Sequence, residues 1–243
     1  MSSALDRPAP QFKSVFPLPG DIHVPVAVLP NPFPNLLLLV NEHVGPLTGG
    51  QHHRVLCIMT DDHAYQAISA YSEKLTQTPN IDRIANEGMK FTNACVTNSI
   101  CAPSRAVILT GKHSHLNGKI DNRFPFDDSQ VTFPQIMHNQ GYQTAMFGKL
   151  HFGNNPKGFD QFRILPGQGH YYNPEFMVNG SGKWEQIEGY CTDIITDSML
   201  DWLINKRDPN KPFCALYHQK APHRNWKPAQ EYLDLYDDKT FDP

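Results

Sequence analysis

The chain of 243 residues has no long apolar run. Its longest uninterrupted aliphatic stretch is Leu36 to Val40, far short of the roughly 18 residues that a membrane span requires. It carries no large excess of charge. The 21 basic and 24 acidic residues leave a net charge of -3, so no global basic field points to nucleic acid as a partner. No two cysteines have CxxC spacing. The five stand at 57, 95, 101, 191 and 214, which argues against a zinc cluster or a dense disulfide framework. One or two disulfides remain open, and the odd count leaves at least one thiol over. The first residues show no basic segment followed by an apolar stretch, so no secretory signal is visible. No internal repeat is visible either.

What is present suffices for a sizeable core. Hydrophobic residues make up 40% of the chain and charged residues 19%, within a length that fits one large domain or two small ones. Residues 1–53 stand apart. They hold 9 of the 21 prolines and show no helical or strand periodicity, so they read as an irregular Pro-rich extension. Regular structure is expected to begin at Arg54, so residues 54–243 read as the folded domain.

Val55 to Met59 is a short apolar run that fits a buried strand, ended by the polar Thr60-Asp61-Asp62. Thr78-Pro79 opens a helix that Gly88 closes. A strand is expected over 91–96, helices over 103–109 and 132–139, and a strand over 142–147. An amphipathic helix is expected over 193–205, a strand over 213–217 and a helix over 228–236. This alternation predicts an α/β fold with a mostly parallel sheet and helices on both faces. Ligands in such sheets bind beyond the C-terminal ends of the strands. Three polar clusters fall there: Asp61-Asp62, Lys149/His151 and His218/Lys220/His223.

The segment Cys101-Ala102-Pro103-Ser104-Arg105 places a cysteine just ahead of a helix opened by proline. A helix N-terminus offers free N–H groups and partial positive charge. Arg105 adds a fixed cation one turn further on. Together they make an anion-binding corner, although an isolated cysteine in such a place is most often an inert core residue.

Residues 101–111 resemble the sulfatase signature C-x-P-S-R-x-x-x-L-T-G at every specified position. A second sulfatase signature, G-Y-x-T ending in G-K-x-H, is matched by Gly141, Tyr142, Thr144, Gly148, Lys149 and His151. From about Arg54 onward the chain resembles a type I, formylglycine-dependent sulfatase of the alkaline phosphatase-like superfamily. The nearest likeness is the N-acetylglucosamine-6-sulfatase type, through Tyr171-Tyr172-Asn173-Pro174 and the stretch 220–226.

The resemblance implies that Cys101 is converted to formylglycine by a formylglycine-generating enzyme, and that its hydrate attacks sulfur. It implies that Asp61, Asp62 and position 101 hold a divalent metal, calcium most often and magnesium otherwise. Arg105 and Lys149 would stabilise developing charge. His151 would take a proton, His223 would give one to the leaving alcohol, and Lys220 would contact sulfate. The implied substrate is a sulfated carbohydrate of glycosaminoglycan type. The implied location is periplasm, lysosome or the cell exterior. A phosphonate or phosphate ester hydrolase of the same superfamily is the alternative activity. Sulfatases are roughly twice this long. The remaining ligands and a C-terminal subdomain are expected beyond Pro243, which leaves a truncated, non-catalytic homologue as a further alternative.

Overall fold

A computed structural model describes residues 26–29, 37–42, 54–179 and 182–241. Nine strands among these residues form one sheet. They are β1 (Val26–Leu29), β2 (Leu37–Glu42), β3 (Arg54–Met59), β4 (Met89–Lys90), β5 (Gln143–Lys149), β6 (Gln161–Leu165), β7 (Glu175–Val178), β8 (Trp184–Gln186) and β9 (Phe213–His218). Their order across the sheet is β4-β1-β2-β3-β9-β5-β6-β7-β8. The centre, β3-β9-β5-β6, is parallel throughout. Antiparallel strands lie outside it, β2 on one side and β7 and β8 on the other.

The helices are α1 (Pro79–Glu87), α2 (Cys101–Thr110), α3 (Ser114–Asn117), α4 (Phe133–Asn139) and α5 (Cys191–Asp201). α5 runs on into a π turn over Trp202–Lys206. Each central strand buries alternate side chains in different layers, as a pleated strand must. Leu56, Ala145, Phe147 and Ala215 join Ile195, Met199 and Trp202 of the α5 segment. Their sequence neighbours Cys57, Met146 and Leu216 join Ala102, Ala106 and Leu109 of α2. A strand covered on both faces cannot alternate apolar with polar residues. That is why residues 145–148 of β5 and 213–216 of β9 are continuously apolar. Helices on both faces of a sheet with a parallel centre agree with the expected α/β fold.

Four expectations need correction. Within 1–53, two pieces are strands. Val26–Leu29 pairs with Leu37–Val40, and residues 37–42 pair with β3. Short aliphatic runs between prolines are long enough for strands even without periodicity. The rest of that extension lies outside the described residues. The strand expected over 91–96 is only Met89–Lys90, paired with β1. Residues 91–96 are irregular and none is buried, with Thr92, Asn93 and Ala94 offering little apolar surface to bury. The helix expected over 228–236 is a single 3-10 turn, Gln230–Tyr232. Leu233 and Leu235 remain exposed there, so no apolar face holds a longer helix against the body. Finally, β6, β7, β8 and α3 were not expected. They are three to five residues long and separated by Gly- and Pro-rich turns that mask short patterns.

Candidate active site

The site forms at the C-terminal tips of β3, β5 and β9, with α2 pointing its first turn at them. Cys101 is the first residue of α2, and Pro103 suits the first turn because its missing N–H costs nothing there. The Ala102 N–H donates to Asn122 Oδ1 at 3.1 Å, a cap supplied from twenty residues away. Gly111 ends the helix at φ +67, a left-handed closure that glycine takes without strain. α2 packs deep in the protein: Ala102, Ser104, Arg105, Ala106 and Leu109 are all buried.

Arg105, fully buried, laces α2 to two strand tips. Its Nη1 donates to the Lys149 carbonyl and to His218 Nδ1, the latter at 3.0 Å. Its Nη2 lies 3.6 Å from Asp61 Oδ1. Nε and Nη2 make no hydrogen bond among the described residues. Asp61 balances the guanidinium's charge, but the N–H groups left without an acceptor remain available to a bound anion.

Lys149, at the end of β5, is equally buried. Its Nζ bonds Asp61 Oδ2 and Gln168 Oε1 and lies 3.7 Å from Cys101 Sγ. Burial pushes the Asp61 carboxyl up, but Arg105 and Lys149 outweigh burial and hold it below its usual value. One carboxylate oxygen of Asp61, Sγ of Cys101 and a ring nitrogen of His223 all lie within 4.8 Å of one another. Asp62 takes φ +57 and turns its Oδ2 to His223 Nε2 at 3.4 Å. Burial, then the neighbouring Asp61, raises the Asp62 carboxyl. Burial, then Lys149, lowers His223.

His151 follows β5 at φ +64, with Nδ1 buried and unpartnered among the described residues. Burial, with Lys149 and Arg105 nearby, lowers its pKa to about 4. Lys220 places Nζ 4.7 Å from the centre of the Tyr171 ring. Burial, then Lys149, lowers its pKa too. Beside these groups opens a cleft of about 280 Å³, lined among others by Gln168, His170, Lys220, Arg224 and Lys227 and by no acidic residue. Its rim is held in place by hydroxyls. Tyr171, Tyr172 and Tyr190 donate to the carbonyls of His223, Pro228 and Lys227.

Every residue singled out from the sequence therefore falls in one neighbourhood. Asp61, Cys101, Arg105 and Lys149 touch or nearly touch, His223 and Asp62 close one side, and Lys220 and His151 flank them. Sequence reasoning missed Asn122 and Tyr171 as supports, Gln168 as the partner of Lys149, and the contact of His218 with Arg105. None of these has a local spacing that marks it. All five cysteines are free thiols, with only Cys95 exposed. No helix among the described residues is long and apolar enough to cross a membrane.

Known proteins share the sequence pattern and the fold. The pattern of the Sulfatase family matches residues 53–242. The chain is 52% identical over 190 residues to the N-acetylglucosamine-6-O-sulfatase of Bacteroides thetaiotaomicron, covering 77% of this chain and 34% of that protein. It is 31% identical over 236 residues to the human N-acetylglucosamine-6-sulfatase, covering 86% of this chain and 42% of that one. A solved structure of a protein in complex with its substrate D-glucosamine-2-N,6-O-disulfate superposes with a TM-score of 0.74 at 51% identity, over 77% of this chain and 38% of that one. The chain thus spans between a third and about two fifths of the length of these relatives.

Proposed function

The chain belongs to the sulfatase family, and from that premise we propose that it serves a sulfuric ester hydrolase acting on a sulfated amino sugar of the glucosamine 6-sulfate type. The observation that carries this reading is the convergence of Asp61, Cys101 and His223 within 4.8 Å, beside the buried cations of Arg105 and Lys149. A tetrahedral oxyanion next to Cys101 would meet the free N–H groups of Arg105 and the ammonium of Lys149 in a place with little water. Charge stabilisation is strongest under those conditions. The cationic cleft with no acidic lining suits an anionic sugar. The substrate class rests on the two N-acetylglucosamine-6-sulfatase relatives and on the glucosamine disulfate bound by the structural neighbour.

The donor set fits the cofactors of the family. Asp61 and Asp62 are hard oxygen donors on adjacent residues, suited to calcium or magnesium. A thiol at 101 is a soft donor that suits neither ion. An oxygen-bearing formylglycine there would complete a hard site, and Asp61, Asp62 and position 101 would be the holders. When present, the metal and the modified residue supply a Lewis acid and an oxygen nucleophile.

The remaining work falls to the chain's own groups. Arg105 and Lys149 hold the sulfate charge. Lys220, whose ammonium burial and Lys149 already disfavour, gains by meeting the anion. His223 Nδ1 faces the Arg224 carbonyl, so the doubly protonated ring is the form with a proton on Nε2 for the leaving alcohol; Asp62 at 3.4 Å favours that form, against burial and Lys149. His151 is uncharged near neutrality and accepts a proton at its unpartnered Nδ1. A formylglycine-generating enzyme is the partner this chemistry requires. The periplasm, lysosome or cell exterior is the proposed site of action, as is usual for enzymes that digest extracellular polysaccharide.

Turnover of N-acetylglucosamine 6-sulfate, compared with a phosphate diester, tests the proposal. Release of inorganic sulfate is expected. Cleavage of the phosphate alone would replace this reading with that of a phosphate ester hydrolase.

A further inference from the structure

His218 closes β9 in the middle of the site, only 1% exposed, yet none of the steps above uses it. We propose that His218 is a positioning residue for Arg105: its neutral imidazole accepts a hydrogen bond at Nδ1 and so aims the guanidinium's remaining N–H groups at the anion. The inference rests on the reading of Arg105 as a sulfate-binding cation.

Arg105 Nη1 carries two hydrogens. One goes to the Lys149 carbonyl at the tip of β5 and the other to His218 Nδ1 at 3.0 Å at the tip of β9. Two acceptors on adjacent strands define the guanidinium plane, which a single acceptor would leave free to swivel. An acceptor at Nδ1 requires the proton on Nε2. The imidazole stays uncharged because burial, and then the Arg105 cation itself, push its pKa well below the ordinary value. Nε2 has no partner among the described residues, so the ring gains nothing else by being there that these contacts reveal.

The backbone beneath is held as well. His218 pairs with Gly148 in register. A Cβ on Gly148 would stand 1.8 Å from the His218 carbonyl oxygen, so β5 and β9 approach more closely here than any side chain allows. With Nδ1 removed, the nearest strong acceptor for the freed N–H groups is Asp61, already 3.6 Å from Nη2. The guanidinium would turn into a two-pronged pair with that carboxylate. It would then be withdrawn from the anion and would compete with any cation at Asp61.

The test uses the full chain with two substitutions. His218→Asn keeps an acceptor close to the Nδ1 position, and His218→Leu keeps bulk without one. The first readout is the Nε–H resonance of Arg105 in nitrogen-15 NMR, identified as the signal lost in Arg105→Lys. Slow exchange is expected in wild type and His218→Asn, with acceleration in His218→Leu. The second readout is turnover of N-acetylglucosamine 6-sulfate. His218→Leu should lower kcat/KM about tenfold or more, the scale of a hydrogen bond to a charged group. His218→Asn should stay within about threefold of wild type, with its pH profile between 5 and 8 unchanged. In an Arg105→Lys background the extra loss from His218→Leu should vanish. Equal losses in both His218 variants, an unchanged Arg105 resonance in His218→Leu, or a missing limb in the pH profile of His218→Asn would each overturn the proposal. A wild type that releases no sulfate would refute the proposed reaction instead, and the NMR comparison would still decide the role of His218.

Discussion

Gly148 gives the sharpest test of how the site is built. It lies in β5 at φ +102, where only glycine is unstrained. An added Cβ would fall 1.8 Å from the His218 oxygen and 2.9 Å from its carbonyl carbon, both backbone atoms of the central neighbour β9. Ordinary contact begins near 3.4 Å, so Gly148→Ala is about 1.6 Å short of room and no rotamer change relieves it. Forcing the strands apart costs roughly 1–3 kcal/mol as overpacking, and the backbone strain adds about 1–3 kcal/mol. A loss of about 2–6 kcal/mol follows, a large share of the 5–15 kcal/mol that typically holds a domain. Gly141 supplies the control. Its φ is +86, but an added Cβ there meets nothing within 4 Å. Gly141→Ala should therefore cost only the strain, about 1–3 kcal/mol. Urea unfolding followed by far-ultraviolet circular dichroism measures both. If the two variants fall within about 1 kcal/mol of each other, close approach of β5 to β9 is not what requires glycine at 148.

Three further outcomes follow from the charges. Asp61→Asn leaves Lys149 and Arg105 buried without their counter-charge and should cost about 3–5 kcal/mol. Because the folded carboxyl sits below its usual value, the wild-type contribution is complete above about pH 4 and is lost as pH falls further. The acid limb of a stability profile should flatten in the variant, and an unchanged limb would contradict the pairing. His151 titrates near 4 when folded against an ordinary 6.5, so its contribution is full above that ordinary value and declines as pH drops toward 4. Replacement by Gln should make the melting temperature less steep in pH across that interval, and an equal slope would show that His151 is not buried neutral. Calcium at about 100 times its Kd should add about 2.7 kcal/mol of stability to the wild type. It should add distinctly less to Asp62→Asn, and equal stabilisation would remove Asp62 from the ligand set.

Much of the site can be read along the chain. Cys101 and Arg105 are four residues apart on one helix, so one turn brings them onto a common face whatever surrounds them. The apolar runs of β3, β5 and β9 announce strands buried on both faces, and the polar residues just after them must emerge at a sheet end. Asp61, Lys149 and His223 are therefore recognisable as strand-end residues from local pattern alone. The thin elements β6, β7 and β8 are too short and too interrupted to show a period.

Contacts are another matter. β9 comes last in the chain yet lies between β3 and β5. That placement sets His218 against Arg105 across 113 positions and leaves no room for a Cβ at 148. The Asn122 cap on α2 and the Gln168 bond to Lys149 likewise join residues about twenty positions apart through loops with no periodic signal. Local sequence sets which side chains reach a strand's end, because helix and strand periods are short-range. Which atom each of them meets depends on the order of strands in the sheet, and that order follows from how the two core layers pack as a whole.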